Sequence, residues 1–131
     1  MATNQAIDGR WHINVPVPTA VTVGMAVLVG TLPGVVLALQ PLPTPTSPTT
    51  ATIDLGEDCY TLTVIGRSAN SPLVTAAVKP GDPLYATGTY DSTTNITYSL
   101  TLDKNISGVR FGNSLSAVAA GVTSTTAVVR V

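Results

Sequence analysis

Val78-Lys79-Pro80-Gly81-Asp82-Pro83-Leu84-Tyr85 opens the stretch whose reading decides the fold, and Thr126-Ala127-Val128-Val129-Arg130-Val131 closes it. Pro80-Gly81-Asp82-Pro83 is a turn for chemical reasons: Pro presets φ, Gly supplies a positive φ at no steric cost, and Asp bonds its own backbone. Leu84, Tyr85 and Ala86 start a strand. Asn95-Ile96-Thr97-Tyr98-Ser99-Leu100-Thr101-Leu102 then alternates apolar and polar side chains. That period puts Ile96, Tyr98, Leu100 and Leu102 on one face of a half-buried strand. Phe111 to Ala120 fits a helical turn as readily as a strand, and Thr125 to Val131 makes a final strand paired in the sheet. The whole stretch reads as three or four strands in close succession.

The same reading extends upstream. Cys59 to Ile65 alternates and is closed by Gly66, and Thr52 to Leu55 is a further strand. Ala20 to Leu39 is apolar over about the 20 residues a helix needs to cross a bilayer. Gly24, Gly30, Pro33-Gly34, the density of Val and the lack of flanking positive charges oppose that span. Two strands, Val21 to Val29 and Val35 to Leu39, joined at Thr31-Leu32-Pro33-Gly34, explain these residues better. The Pro/Thr-rich segment 41–50 carries four prolines, which remove ladder donors and favour extended polyproline geometry, so it reads as an exposed loop. Residues 1–14 show no period and form an N-terminal arm; they lack the basic and apolar regions of a signal peptide.

Thr and Val are the commonest residues, which favours strands and turns over helices. At 131 residues the chain holds one domain, here 15–131, after the arm. Six basic and seven acidic residues leave a net charge of −1, with no basic patch for nucleic acid. A surface so weakly charged suits a protein embedded in a larger assembly.

No set of residues points to catalysis, so the expected protein is not an enzyme and uses no metal or cofactor. There is no phosphate-binding Gly-rich loop and no C-x-x-C pair, and His12 is the only histidine. Cys59 is single and reads as a small side chain on a strand. Asp54, Glu57 and Asp58 lie close together but lack the alternating ligand order of a calcium loop, so they read as an acidic turn. The sequons at Asn95 and Asn105 carry no weight without a secretory signal.

The order "Pro-Gly-Asp-Pro turn, Leu84-Tyr85, a Thr-rich strand, Phe111-Gly112-Asn113-Ser114-Leu115, small residues to Gly121, terminal Val-Arg-Val" resembles a family of small tailed-phage head proteins. Val27-Leu28-Val29-Gly30 followed by Gly34-Val35-Val36 is similar to that family's first hairpin. The resemblance implies a capsid decoration or cement protein on the outer surface of the virion, bound to the major capsid protein and forming a homo-oligomer, with a trimer expected. The expected fold is all-β: a compact β-barrel or β-sandwich, β-tulip-like, with the arm projecting. Arg10, Trp11 and His12, with Ile13, Val15 and Val17 beside them, are the expected contacts, since Trp and Arg are the usual interface anchors. The alternative is a phage tail, fibre or glycan-recognition β-module; the scarcity of aromatic platforms weighs against sugar binding.

Overall fold

The computed structural model describes residues 12–40, 49–56, 59–70 and 72–130, leaving aside the side chains at 127, 129 and 130. Among these residues there are eleven strands: β1 (His12–Val17), β2 (Ala26–Val29), β3 (Leu32–Gln40), β4 (Thr49–Asp54), β5 (Cys59–Ile65), β6 (Arg67–Asn70), β7 (Leu73–Thr75), β8 (Pro83–Asp91), β9 (Ile96–Asp103), β10 (Val109–Ser114) and β11 (Thr123–Arg130). The described residues contain no helix. Nine strands form one mixed sheet in the order β1-β4-β3-β2-β9-β5-β11-β10-β8, while β6 and β7 make a separate two-stranded sheet. A closed barrel is not found. β8 does pair back onto β9, but β9 meets β5 through the single parallel pair Val64 and Leu102, and among the described residues β1 ends the sheet as an open edge.

Two hydrophobic clusters hold this sheet. Val17, Val21, Val27, Val36, Ala51, Ile53 and Ile96 form the first, built from β1 to β4 and the start of β9. Leu28, Leu62, Val64, Leu84, Leu102, Phe111, Val118 and Val128 are in the second. Each of the buried Val, Leu, Ile and Phe side chains contributes about 1.5–3 kcal/mol relative to exposure. β9 serves both clusters, and a bulge explains how. Thr87 pairs with Thr101 but Thr89 pairs with Tyr98, so Ser99 and Leu100 together oppose Gly88. An extra residue reverses the face that later side chains meet. Ile96 and Tyr98 therefore join the first cluster and Leu100 and Leu102 the second, rather than sharing one face as unbroken alternation predicts. Ser99 sits at φ 52, and a Cβ on Gly88 would lie 2.4 Å from the Tyr98 carbonyl oxygen. Only glycine fits opposite this bulge.

Several other expectations change. The first hairpin turns at Gly30-Thr31, with Val29 paired to Leu32, not at Thr31 to Gly34. Pro33 and Gly34 lie inside β3, where a Cβ on Gly34 would meet Ile53 Cγ2 at 2.5 Å, so glycine permits close packing of β3 on β4. Of the expected strand Val21 to Val29 only Ala26–Val29 is one. His12, Ile13 and Asn14, assigned to the arm, belong to β1, paired with β4. Residues 112–120 hold the end of β10 and then the bridge residue Val118, with no helical turn. Of the expected loop 41–50, residues 41–48 lie outside the described residues, while Thr49 and Thr50 are not loop but open β4, paired with β1 and, at Thr50, with β3.

One local device recurs three times. A buried Val is followed three residues later by a Gly with positive φ, and a strand starts two residues beyond that Gly. The copies are Val21 with Gly24 (φ +86) before β2, Val78 with Gly81 (φ +93) before β8, and Val118 with Gly121 (φ +76) before β11. In each the fourth residue of the turn donates its N–H to the carbonyl of the first: Met25 to Thr22, Asp82 to Lys79, Val122 to Ala119. With positive φ confined to the third position these are type II turns. Each turn exchanges two backbone hydrogen bonds with one residue of a neighbouring segment. Gly24 N donates to Val36 O and Val36 N to Met25 O; Gly81 and Asp82 do the same with Ser114, and Gly121 and Val122 with Gly66. The second and third copies also touch directly, since Val78 and Val118 exchange both backbone bonds at 2.8 and 2.9 Å.

Candidate functional site

Of the expected contact residues, Arg10 and Trp11 lie outside the described residues. His12 is exposed at the start of the edge strand, with Nε2 3.9 Å from Asp54 Oδ1. Ile13 and Val15 are half-buried against the first cluster. Val17 is fully buried, so it belongs to the core and offers no surface for a partner. Alternation along β1 accounts for this: His12, Asn14 and Pro16 face solvent while the residues between face inward.

The acidic residues serve the backbone. Asp54, buried, accepts from Gly56 N at 2.8 Å and from the Tyr60 hydroxyl. Asp103, also buried, accepts from Arg67 Nε at 2.7 Å and from Asn105 N at 3.0 Å. Asp82 accepts from Lys79 N at 2.8 Å and faces Lys104 Nζ at 3.1 Å. The Lys79 amide and then the Lys104 ammonium hold the Asp82 carboxyl below its ordinary value. Among the described residues no group of three His, Cys, Asp or Glu could hold a metal ion. Cys59 opens β5 as an exposed free thiol.

A cleft of about 310 Å³ opens beside β9 where β2 has ended and β5 has yet to join. Turn residues Gly24 and Met25, Thr61 and Thr63 of β5, and Ser99 and Leu100 at the bulge line it, and its lining carries no charged side chain. It therefore has no acid or base to move a proton.

The remaining candidates are two exposed apolar regions, one on the main sheet and one at the separate β6–β7 hairpin. Val23 (60% exposed) and Leu37 lie on the first turn and β3, flanking the Gly24–Val36 hydrogen bond, while Leu32 is exposed at the other end of β3. Leu73 (62% exposed), Val74 and Val122 lie on β7 and the third turn. The end of β7 and the third turn converge on one carbonyl, since Ala76 N and Gly121 N both donate to Gly66 O. Neither region contains a charged side chain. Sequence reasoning missed both because it sought contacts in the arm. No spacing in the sequence marks them, because they depend on which side chains the fold leaves uncovered. No family model, curated protein or solved structure matches this chain.

Proposed function

We propose that this protein is a structural virion component, a decoration or cement subunit that binds the outside of a tailed-phage head and bridges copies of the major capsid protein. The observation that supports the reading is the pair of separate, uncharged apolar regions, around Val23 and Leu37 and around Leu73, Val74 and Val122. Exposed apolar patches mark interaction surfaces, and a bridging protein needs two. The subunit is a compact sandwich in this reading, its two cores divided by β9. Its contribution is linkage: binding only the assembled shell stabilises that shell by mass action, multiplied where one oligomer spans several equivalent sites.

The region of Val23 and Leu37 is the face assigned to the shell. Heating particles with and without the protein tests the role: carriers rupture at higher temperature, and equal rupture temperatures at full occupancy reject it. Val23→Asp with Leu37→Asp is expected to abolish attachment, by at least ten-fold in affinity, while the circular dichroism spectrum stays that of the all-β fold. Specific micromolar binding on a glycan array would favour host recognition instead.

A further inference from the structure

We propose that Asn105 is an acceptor site for an N-linked glycan in the folded protein. The inference stands on the turn between β9 and β10 and does not require the shell-bridging reading. Two sequons occur in the chain, Asn95-Ile96-Thr97 and Asn105-Ile106-Ser107, and their spelling alone gives neither of them weight. Their places in the fold separate them.

Asn95-Ile96-Thr97 is locked into the sheet. Asn95 sits at φ 60, its N–H donates to Asp91 O at 2.8 Å, and its carbonyl accepts from Gly30 N at 2.9 Å. Its side-chain Oδ1 accepts from the Tyr90 hydroxyl at 2.8 Å. Ile96 is fully buried, and Thr97 pairs with Leu28 on one side and Tyr90 on the other. A transferase reads all three residues, so this sequon is open to it only in an unfolded chain.

Asn105-Ile106-Ser107 pairs with no strand among the described residues. It forms the turn after β9, closed by Gly108 N donating to Asn105 O at 3.1 Å. Ile106 is 79% exposed and Ser107 is exposed beside it. The two side chains that define a sequon are already engaged with each other: Ser107 Oγ donates to Asn105 Oδ1 at 2.8 Å, and Ser107 N donates to the same oxygen at 3.1 Å. Asn105 is half-buried, yet among the described residues its Nδ2 has no acceptor.

The chemistry calls for a lipid-linked oligosaccharyl pyrophosphate and its transferase. Nδ2 bonds to C1 of the first sugar while the bond from C1 to the pyrophosphate oxygen breaks. The pyrophosphate leaves with that electron pair, and the amide proton passes to a base of the transferase. An amide nitrogen is a poor nucleophile until this proton is lost. Donors already aimed at Oδ1 stabilise the negative charge that the loss places on oxygen.

Incubating the folded full chain with a lipid-pyrophosphate oligosaccharide and a purified oligosaccharyltransferase, followed by intact-mass and glycopeptide analysis, tests the proposal. The folded chain is expected to gain a single glycan, at Asn105. Peptides spanning 93–99 and 103–109 should both be modified, because only the fold excludes Asn95. Ser107→Ala should lower modification of the folded chain about ten-fold or more, through the lost hydroxyl bond. Ser107→Thr should restore it, with circular dichroism unchanged in both variants. A folded chain that gains no glycan would overturn the proposal whatever the peptides do. Equal modification at Asn95, or a Ser107→Ala chain modified like wild type, would overturn it as well.

Discussion

The second and third turns, Lys79–Asp82 and Ala119–Val122, share a fold and almost no chemistry. Both follow a buried Val, place a Gly at positive φ and exchange two hydrogen bonds with one neighbouring residue. The second adds Pro80, which presets the turn, and a carboxylate at Asp82 tied to Lys79 and Lys104. At the same positions the third has Ala120 and Val122, with exposed methyl groups and no charge. The device therefore needs only its Val, its Gly and its backbone clamp. Its outer positions are free to be polar and self-contained in one copy and adhesive in another.

The comparison breaks most easily at the clamp. Gly66→Ala would put a Cβ 2.2 Å from the Ala119 carbonyl oxygen, against backbone that has no room to yield. A loss of about 3 kcal/mol is expected in denaturant unfolding. Ser114 clamps the second turn from the equivalent place, and there Ser114→Ala removes the hydroxyl's two bonds with Ser116, donated to its carbonyl at 2.7 Å and accepted from its N–H at 3.4 Å, at about 1 kcal/mol. Equal losses would show that the two clamps differ in more than crowding.

Truncating the paired valines probes what joins the copies. Val78→Ala and Val118→Ala are each expected to cost about 2 kcal/mol. As neighbours in one cluster, their double mutant should depart from additivity by about 0.5 kcal/mol or more. Strict additivity would mean that the bridge is held by backbone bonds alone. Gly81→Ala and Gly121→Ala sharpen the geometry: each forces a side chain into the left-handed region, at about 1–2 kcal/mol, and the two costs should agree.

The smallest effect separates the chemistries. Because the Asp82 carboxyl is held below its ordinary value of 3.8, its contribution is present above that pH and is lost as pH falls through the lower folded value. The advantage of wild type over Asp82→Asn in thermal midpoint should shrink in acid. Val122→Asn should show no such pH dependence.

Much of this molecule was legible in the residues. Alternation from Cys59 to Ile65 located β5 to the residue, and Pro80-Gly81 marked a real turn, because these signals act over neighbours alone. β9 was found but its faces were not, since the bulge depends on Gly88 in another strand. Pro33-Gly34 misled for a similar reason: the pair resembles a turn locally, whereas its role is set by Ile53 across the sheet. Val17 looked like accessible apolar surface only because nothing nearby in sequence reveals the cluster over it. The two exposed apolar regions depend on which side chains the fold leaves uncovered, and spacing alone does not disclose that.

The pairing of β5 with β11 sets a timetable for synthesis. β5 has one other neighbour, β9, at a single residue pair, so its ladder waits for β11, which is made nearly half the chain's length later. At about 5–20 residues per second that interval lasts several seconds. Throughout it, Cys59–Ile65 is an uncharged, β-prone segment without its partner, the kind of sequence that pairs with other chains instead. Soluble yield during expression should therefore rise with whatever shields nascent chains from each other, such as lower synthesis rates per cell or added chaperone, even where the finished fold is unchanged.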